Sequence, residues 1–409
     1  MSPSTDREPW KLQPGDRVAV LSPSAGLPAV FPHVYELGLR RIRDELGLVP
    51  VEFPSTRAPH ASPVERAADI VAAYADPGIA AIFATVGGDD QLTVIRHLDD
   101  EVLRANPKPF FGYSDNTNLL HHLYGLHAPC GLHAPCGVHA PGAVAFHGGS
   151  VLVHLGRPGA MHPLTLASLR AALFTDGWYE LVASPDYSDE PLDWADLAAP
   201  GALDLATTPM TSATGWHWHI PATSTHAPAP TPAPAIIEGP VWGGNLEIIS
   251  WLAAADRLGE NARYAGHILL LETSEEMPSD VEVYRILRNL GERGLLAVFS
   301  AVLVGRAKAW DFGCRRTPAE KASYAAAQRA AIVRAFTEYG SAAVVAGHPA
   351  GGGPAVVGSP APVVGSASAG GGPVIVFDLD VGHTDPQLIV PIGGLARIDV
   401  AARRIHVHY

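Results

Sequence analysis

Apolar runs of strand length alternate with helical patterns through the first 120 residues, and this alternation restricts the chain to few folds. The runs are RVAVLS at 17–22, VPVEF at 49–53, IAAIFATV at 79–86 and PFF at 109–111. Between them, 34–46 sets Leu37, Leu39, Ile42 and Leu46 at helical spacing, and 63–75 opens with Ser62 as N-cap and Pro63 at the first helical position. A third helix ends near Leu103. Strands alternating with helices imply an α/β domain with a doubly wound, flavodoxin- or amidotransferase-like sheet. Ligands of such sheets sit beyond the carboxyl ends of the strands. Two of those ends are small and polar: Gly87-Gly88-Asp89-Asp90, and Gly112-Tyr113-Ser114-Asp115-Asn116.

Ser114, at a strand–turn–helix junction, has the setting of a nucleophile elbow. The sharp turn exposes Oγ, and the following N–H can point at a developing oxyanion. The spelling GYSDN is not G-x-S-x-G, so the same residues also read as a strand followed by a Ser/Asp helix cap. After the first strand stands SPSAG at 22–26 rather than G-x-G-x-x-G, and there is no Walker loop. Both absences argue against a Rossmann or P-loop nucleotide site, because the glycines that allow close phosphate approach are missing.

Further on, 221–235 (PATSTHAPAPTPAPA) is a Pro/Ala-rich connector and 346–373 a Gly/Pro/Ala/Ser-rich insertion. Around them lies a second ordered unit. It contains GPVWGGN at 239–245, a buried strand GHILLLE at 266–272, a helix at 281–290 and a strand at 297–305. A long helix at 318–339 follows, capped by Thr317, and then a strand at 374–377 that runs into DLDVGH at 378–383. The expected division is an N-terminal α/β domain at 1–183, a connector at 184–235 and a smaller, β-rich α/β domain at 236–409.

A serine nucleophile needs a base, and the base needs an orienting acceptor. His383, in a Gly-His-Thr loop after a strand, is the candidate base, and Glu272, ending the ILLL strand, the candidate orienter. Each has an ordinary alternative: His383 is one of 19 histidines, and Glu272 could pair with Arg285.

FGYSDNT at 111–117, WGGNL at 242–246, LLLET at 269–273 and VGHTDPQLIVPIG at 381–393 together resemble the LD-carboxypeptidase family of serine peptidases. That family includes muramoyl-tetrapeptide carboxypeptidases and microcin C immunity peptidases, and the resemblance runs from about residue 12 to 399. It implies a triad of Ser114, Glu272 and His383, an active site between two domains, a homodimer, and no metal or organic cofactor. The N–H groups of Asp115 and Gly88 become the oxyanion donors. Asn245 is the candidate for a substrate hydrogen bond, or else a turn asparagine bonded to its own backbone. Trp216 could stack on adenine, or could share one strand face with Trp218. The substrate is either a peptidyl- or aminoacyl-nucleotide amide or the L,D-amide of a murein tetrapeptide, with WGGNLE, WHW at 216–218 and LETSEE leaning to the immunity branch. The alternative of a different class is a non-catalytic binding protein for a small molecule or peptide on the same scaffold.

The chain departs from the family at the 346–373 insertion and at 126–142, where LHAPCG repeats. There His127, Cys130, His133, Cys136 and His139 recur at three-residue spacing, which suggests a metal; Pro and Gly in every unit read instead as a tandem loop without one. A net charge of −13 and a pI near 5.8 argue against a nucleic-acid partner. No run reaches the ~18 apolar residues of a membrane span. The polar N-terminus lacks an apolar leader core, and three cysteines make no disulfide framework, so a cytoplasmic protein is expected.

Overall fold

The computed structural model describes residues 11–127, 144–221, 235–340 and 372–409. In chain order the strands are β1 (Arg17–Leu21), β2 (Val49–Glu52), β3 (Ile79–Ala84), β4 (Phe110–Gly112), β5 (Ala145–His147), β6 (Trp178–Leu181), β7 (Asp186–Tyr187) and β8 (Thr211–Ser212). They continue as β9 (His217–His219), β10 (Ile236–Asn245), β11 (Ile268–Glu272), β12 (Ala301–Gly305), β13 (Val374–Leu379), β14 (Val390–Ile392), β15 (Leu395–Asp399) and β16 (Arg404–His408).

The first sheet has the order β14-β5-β4-β3-β1-β2, with β5 through β2 parallel. Parallel strands covered on both faces are apolar throughout rather than alternating, and Val18 to Leu21 and Ile82 to Ala84 are accordingly buried. Phe83, Phe111 and Phe146 stack across three neighbouring strands with ring centroids 4.9 and 4.7 Å apart, which fixes the strand ends that carry the candidate site. The second sheet has the order β6-β16-β15-β10-β11-β12-β13-β9. Its centre, β10 to β13, is parallel, its flanks are antiparallel, and β7 and β8 form a separate pair.

The two sheets exchange strands. β14, downstream of His383, pairs antiparallel with β5 and so finishes the first sheet. β6, from the 1–183 stretch, pairs with β16, and β9, from the 184–235 stretch, pairs with β13. The second sheet therefore has eight strands and the first six. The recruited strands are three or four residues long, too short to carry a periodic signal of their own.

Helix ends follow the local chemistry of the sequence. Ser62 Oγ accepts the Glu65 N–H at 3.3 Å while Glu65 accepts the Ser62 N–H at 2.8 Å, and Thr317 and Glu320 repeat the arrangement at 3.4 and 2.8 Å. The run after Phe146 is stopped by glycines rather than by a cap. Gly148 and Gly149 take φ of +121° and +79° and stop β5, and Val151–Leu155 becomes a wide helical turn. It lies so close to the helix Pro32–Asp44 that a Cβ on Gly38 would stand 2.6 Å from Val151 Cγ1.

Residues 128–143 of the HAPCG repeat, 222–234 of the connector and 341–371 of the insertion lie outside the described residues. Among the described residues, no helix is long and apolar enough to cross a membrane, and no group of three His, Cys, Asp or Glu side chains could hold a metal ion.

Candidate active site

β4 ends at Gly112, and the backbone turns at Ser114 with φ +60°. This left-handed conformation costs a non-glycine residue roughly 1–2 kcal/mol, so its surroundings must impose it. Asn116 Nδ2 donates to the carbonyls of Val86 and Tyr113, both at 3.1 Å. Gln91 clamps the turn from the other side: Nε2 donates to Asn116 Oδ1 at 2.8 Å, and Oε1 accepts the Leu119 N–H at 3.0 Å. The buried Asp115 carboxylate accepts from Ser24 Oγ, from the Gln91 N–H at 2.9 Å and from Asn118 Nδ2 at 2.9 Å; burial pushes its carboxyl up. Asp115 is thus a structural clamp by its side chain, which leaves only its N–H for an oxyanion.

Glu272 closes β11 level with Asn245 at the end of β10, and its side chain is 1% exposed. His383 stands in the loop after β13. That loop is tied to the N-terminal half: Gln387 N donates to Thr165 Oγ1 at 3.0 Å, Ile389 N to Ser168 Oγ at 2.9 Å, and Arg157 Nε to Asp385 Oδ2 at 2.8 Å. Within the loop, Gln387 Nε2 donates to the Gly382 carbonyl at 2.8 Å.

These anchors bring the three residues together. His383 Nδ1 lies 2.6 Å from Glu272 Oε2, and His383 Nε2 lies 3.1 Å from Ser114 Oγ. Nδ1–H donating to the carboxylate sets the tautomer that leaves Nε2 facing the serine. Burial opposes charge on the imidazole, but the charge and hydrogen bond of Glu272, joined by those of Glu275, outweigh it and hold His383 well above its ordinary value. Burial likewise raises Glu272, and the neighbouring His383 more than reverses that, so its carboxyl stays below the usual range. Tyr113 packs on His383 with centroids 5.0 Å apart. Behind it, His147 and His154 are kept neutral, burial pushing them down to about 4 and about 3.

The remaining expected residues fall in different places. Gly87 is the glycine against the nucleophile, where a Cβ would stand 3.0 Å from Ser114 Oγ and 3.4 Å from the Asp115 nitrogen; the corresponding atom on Gly88 would meet Ser24 Oγ and Ala25. Asn245 is buried, caps the helix Leu246–Ala254 through Oδ1 and the Ile248 N–H at 2.9 Å, and lies beside Glu272. The turn-asparagine reading describes that cap. Trp216 lies just before β9, and its Nε1–H donates to the buried Asp380 at 3.1 Å. Sequence reasoning missed Glu275, whose Oε2 lies 3.0 Å from His383 Nε2. Its only signal is a place in the acidic LETSEE run.

A strand-end serine, a histidine and a buried carboxylate thus stand in hydrogen-bonded series on an α/β scaffold, the arrangement that Ser–His–carboxylate hydrolases use. Residues 18–134 match the LD-carboxypeptidase N-terminal domain and 238–363 the LD-carboxypeptidase C-terminal domain, together more than half of the sequence, and the chain belongs to the LD-carboxypeptidase family of serine-type peptidases. It is similar to the microcin C7 self-immunity protein MccF of Escherichia coli, 25% identical over 261 residues. That match takes in 63% of this chain and 64% of the length of the relative, just under two thirds. The fold is that of MccF solved with glutamyl sulfamoyl guanosine (20% identity, TM-score 0.66, 98% of this chain and 97% of that one). It is also that of an MccF-like protein from Streptococcus pneumoniae solved with AMP (23% identity, TM-score 0.70, 97% and 99%).

Proposed function

We propose that the protein hydrolyses an amide bond by acyl transfer through Ser114, His383 and Glu272. The observation that carries this reading is the unbroken series from Ser114 Oγ through His383 to Glu272 Oε2, at 3.1 and 2.6 Å. Neutral His383 takes the Oγ proton at Nε2 while Oγ bonds to the carbonyl carbon and the C=O electron pair moves onto oxygen. The Asp115 N–H and the Gly87–Gly88 strand end are the donors for that oxyanion, each worth ~10²–10³ in rate. His383 passes the proton to the leaving nitrogen, the C–N bond breaks, and a free amine departs from acyl-Ser114. Water then bonds to the ester carbon and gives a proton to His383, the C–Oγ bond breaks, the acyl group departs as the carboxylic acid, and Oγ takes that proton back from His383. Glu272 holds the ring in one tautomer throughout.

The substrate we favour is an aminoacyl- or peptidyl-nucleotide amide. The support is the likeness to an immunity protein and to structures holding glutamyl sulfamoyl guanosine and AMP. Through the family, the same reading makes the protein a cytoplasmic homodimer. A fluorophosphonate probe tests the chemistry: wild type should be labelled and Ser114→Ala should not, whereas no labelling, or equal labelling of both, sinks the hydrolase and leaves a binding protein. Turnover of an aminoacyl sulfamoyl adenosine against a murein tetrapeptide then decides the substrate, and cleavage of the murein peptide alone would reverse our preference.

A further inference from the structure

The mechanism above leaves one carboxylate without a task. Glu275 stands in the loop after β11 with its side chain 55% exposed, and its Oε2 is 3.0 Å from the same His383 Nε2 that lies 3.1 Å from Ser114 Oγ. Nε2 offers one N–H or one lone pair, so Glu275 and the serine compete for it. While Nε2–H donates to Glu275, His383 is an imidazolium between two carboxylates and cannot take the serine proton. The contact is built in: Ser274 N and Oγ both donate to the buried Glu247 Oε1, at 2.9 and 2.7 Å, and Gln328 Nε2 holds the Pro278 carbonyl at 2.8 Å.

Nearby cations are already engaged. Lys308 is buried and donates to the Asp189 carbonyl at 2.8 Å, Lys321 pairs with Asp189 and Glu190, and Arg306 with Asp380. Among the described residues, the other titratable groups around His383 are Glu272, Tyr113 and the neutral His147 and His154. Among the described residues the cation whose charge acts on Glu275 is Lys308, which is held on the Asp189 carbonyl, so a cation that draws Glu275 off His383 arrives with the substrate.

We propose that Glu275 receives a free α-ammonium on the acyl residue of the substrate, and that this contact releases His383 to act as base. A reacting carbonyl carbon sits ~3–3.5 Å from the nucleophile, and its α-nitrogen lies about 2.5 Å farther along the acyl residue. That distance suits a carboxylate that already reaches the neighbouring Nε2. An ammonium at the end of a side chain, or an amine on the leaving group, is several bonds more remote. Resting on the hydrolase reading, the inference narrows the substrate to aminoacyl amides with a free amino terminus and disfavours N-acylated peptides.

Ser114→Ala, which keeps the pocket and blocks turnover, is titrated calorimetrically with alanyl sulfamoyl adenosine and with its N-acetyl derivative. The free amine should bind roughly 10- to 100-fold more tightly, and adding Glu275→Gln should erase that preference. In parallel, the pH midpoint of Ser114 labelling by a fluorophosphonate should move to lower pH in Glu275→Gln, because one carboxylate fewer holds the proton on His383. Equal affinities in Ser114→Ala, a preference that survives Glu275→Gln, or no binding of either compound overturns the ammonium site. An unmoved midpoint overturns the release step. Absence of any labelling of wild type counts against the hydrolase reading alone, and the binding comparison then judges Glu275 by itself.

Discussion

Replacing Gly382 by alanine probes the proposed triad without altering any of its members. Gly382 has φ +89°, and a Cβ there would stand 2.6 Å from Glu272 Oε2 and 2.8 Å from Glu272 Cβ. Ordinary contact begins at 3.4 Å, so the carboxylate must retreat by about 0.8 Å. A retreat along the 2.6 Å bond stretches the Glu272–His383 pair to at most about 3.4 Å, past normal hydrogen-bond range. A misplacement of about 1 Å costs ~10² in rate, and loss of the orienting carboxylate about 10⁴. The rate of Ser114 labelling by a fluorophosphonate should thus fall between these limits. The positive φ adds roughly 1–2 kcal/mol of strain, read as a drop of a few degrees in melting temperature. Gly177→Ala is the control, since Gly177 has φ +115° with nothing within 4 Å of the new Cβ; it should lose stability and keep its labelling rate. A folded Gly382→Ala labelled within about threefold of wild type would refute the claim that Glu272 governs His383.

Gly87→Ala should cut labelling ~10²–10³-fold by crowding Ser114 Oγ and the Asp115 N–H, and an unchanged rate would remove that strand end from the oxyanion site. Trp216→Phe keeps a ring but leaves Asp380 short of a donor; urea unfolding should show a loss of about 1–3 kcal/mol, and an unshifted midpoint would contradict the anchoring role. Stability should also fall with acid. Burial pushes His121, His147 and His267 down to about 4 and His154 to about 3. From the ordinary imidazole value near 6.5 down to about 4, the unfolded chain therefore binds more protons and gains on the folded one, by up to about 1.4 kcal/mol per pH unit for each histidine. His383, raised in the fold, acts oppositely: its contribution is complete below 6.5 and fades as pH rises through its elevated value. Glu272, lowered, contributes above 4.5 and loses that as pH falls through its depressed value. The urea midpoint should thus be markedly lower at pH 5 than at pH 7.5, and equal midpoints would refute the neutral, buried state of these histidines.

Much of this was legible because buried parallel strands announce their ends. In IAAIFATV-GG, ILLL-E and VIVF-DLDVGH, an apolar run gives way abruptly to a small or polar residue, and the fold gathers such ends into one crevice. Ser62-Pro63 and Thr317-Pro318 marked their helices as plainly, since a cap is chemistry within one turn. What escaped depends on contacts across the chain. Glu275 is one acid among several until His383 comes to face it. Whether Gly87 or Gly88 touches Ser114 is decided by how β3 pairs with β4. Asn245 reads in the sequence equally as a ligand contact or a turn asparagine, because the cap of its Oδ1 with Ile248 and its place beside Glu272 appear only when the helix and β11 are built.

The pairing of β14 with β5 bears on the order in which the molecule can come into being. Of the first sheet's strands, β14 is the last to be synthesised, far behind its neighbour β5. Until it arrives, the β5 edge presents unpaired backbone groups, an exposure that invites association with other chains. Such a non-local closure is also slow, because loop entropy must be spent before the strand pairing returns anything. The loop bearing His383 and Gln387 immediately precedes β14, so the step that seals the edge also brings His383 to Ser114. A nascent chain therefore holds Ser114 and His383 apart, and under the proposed mechanism hydrolytic competence coincides with the final closure of the sheet.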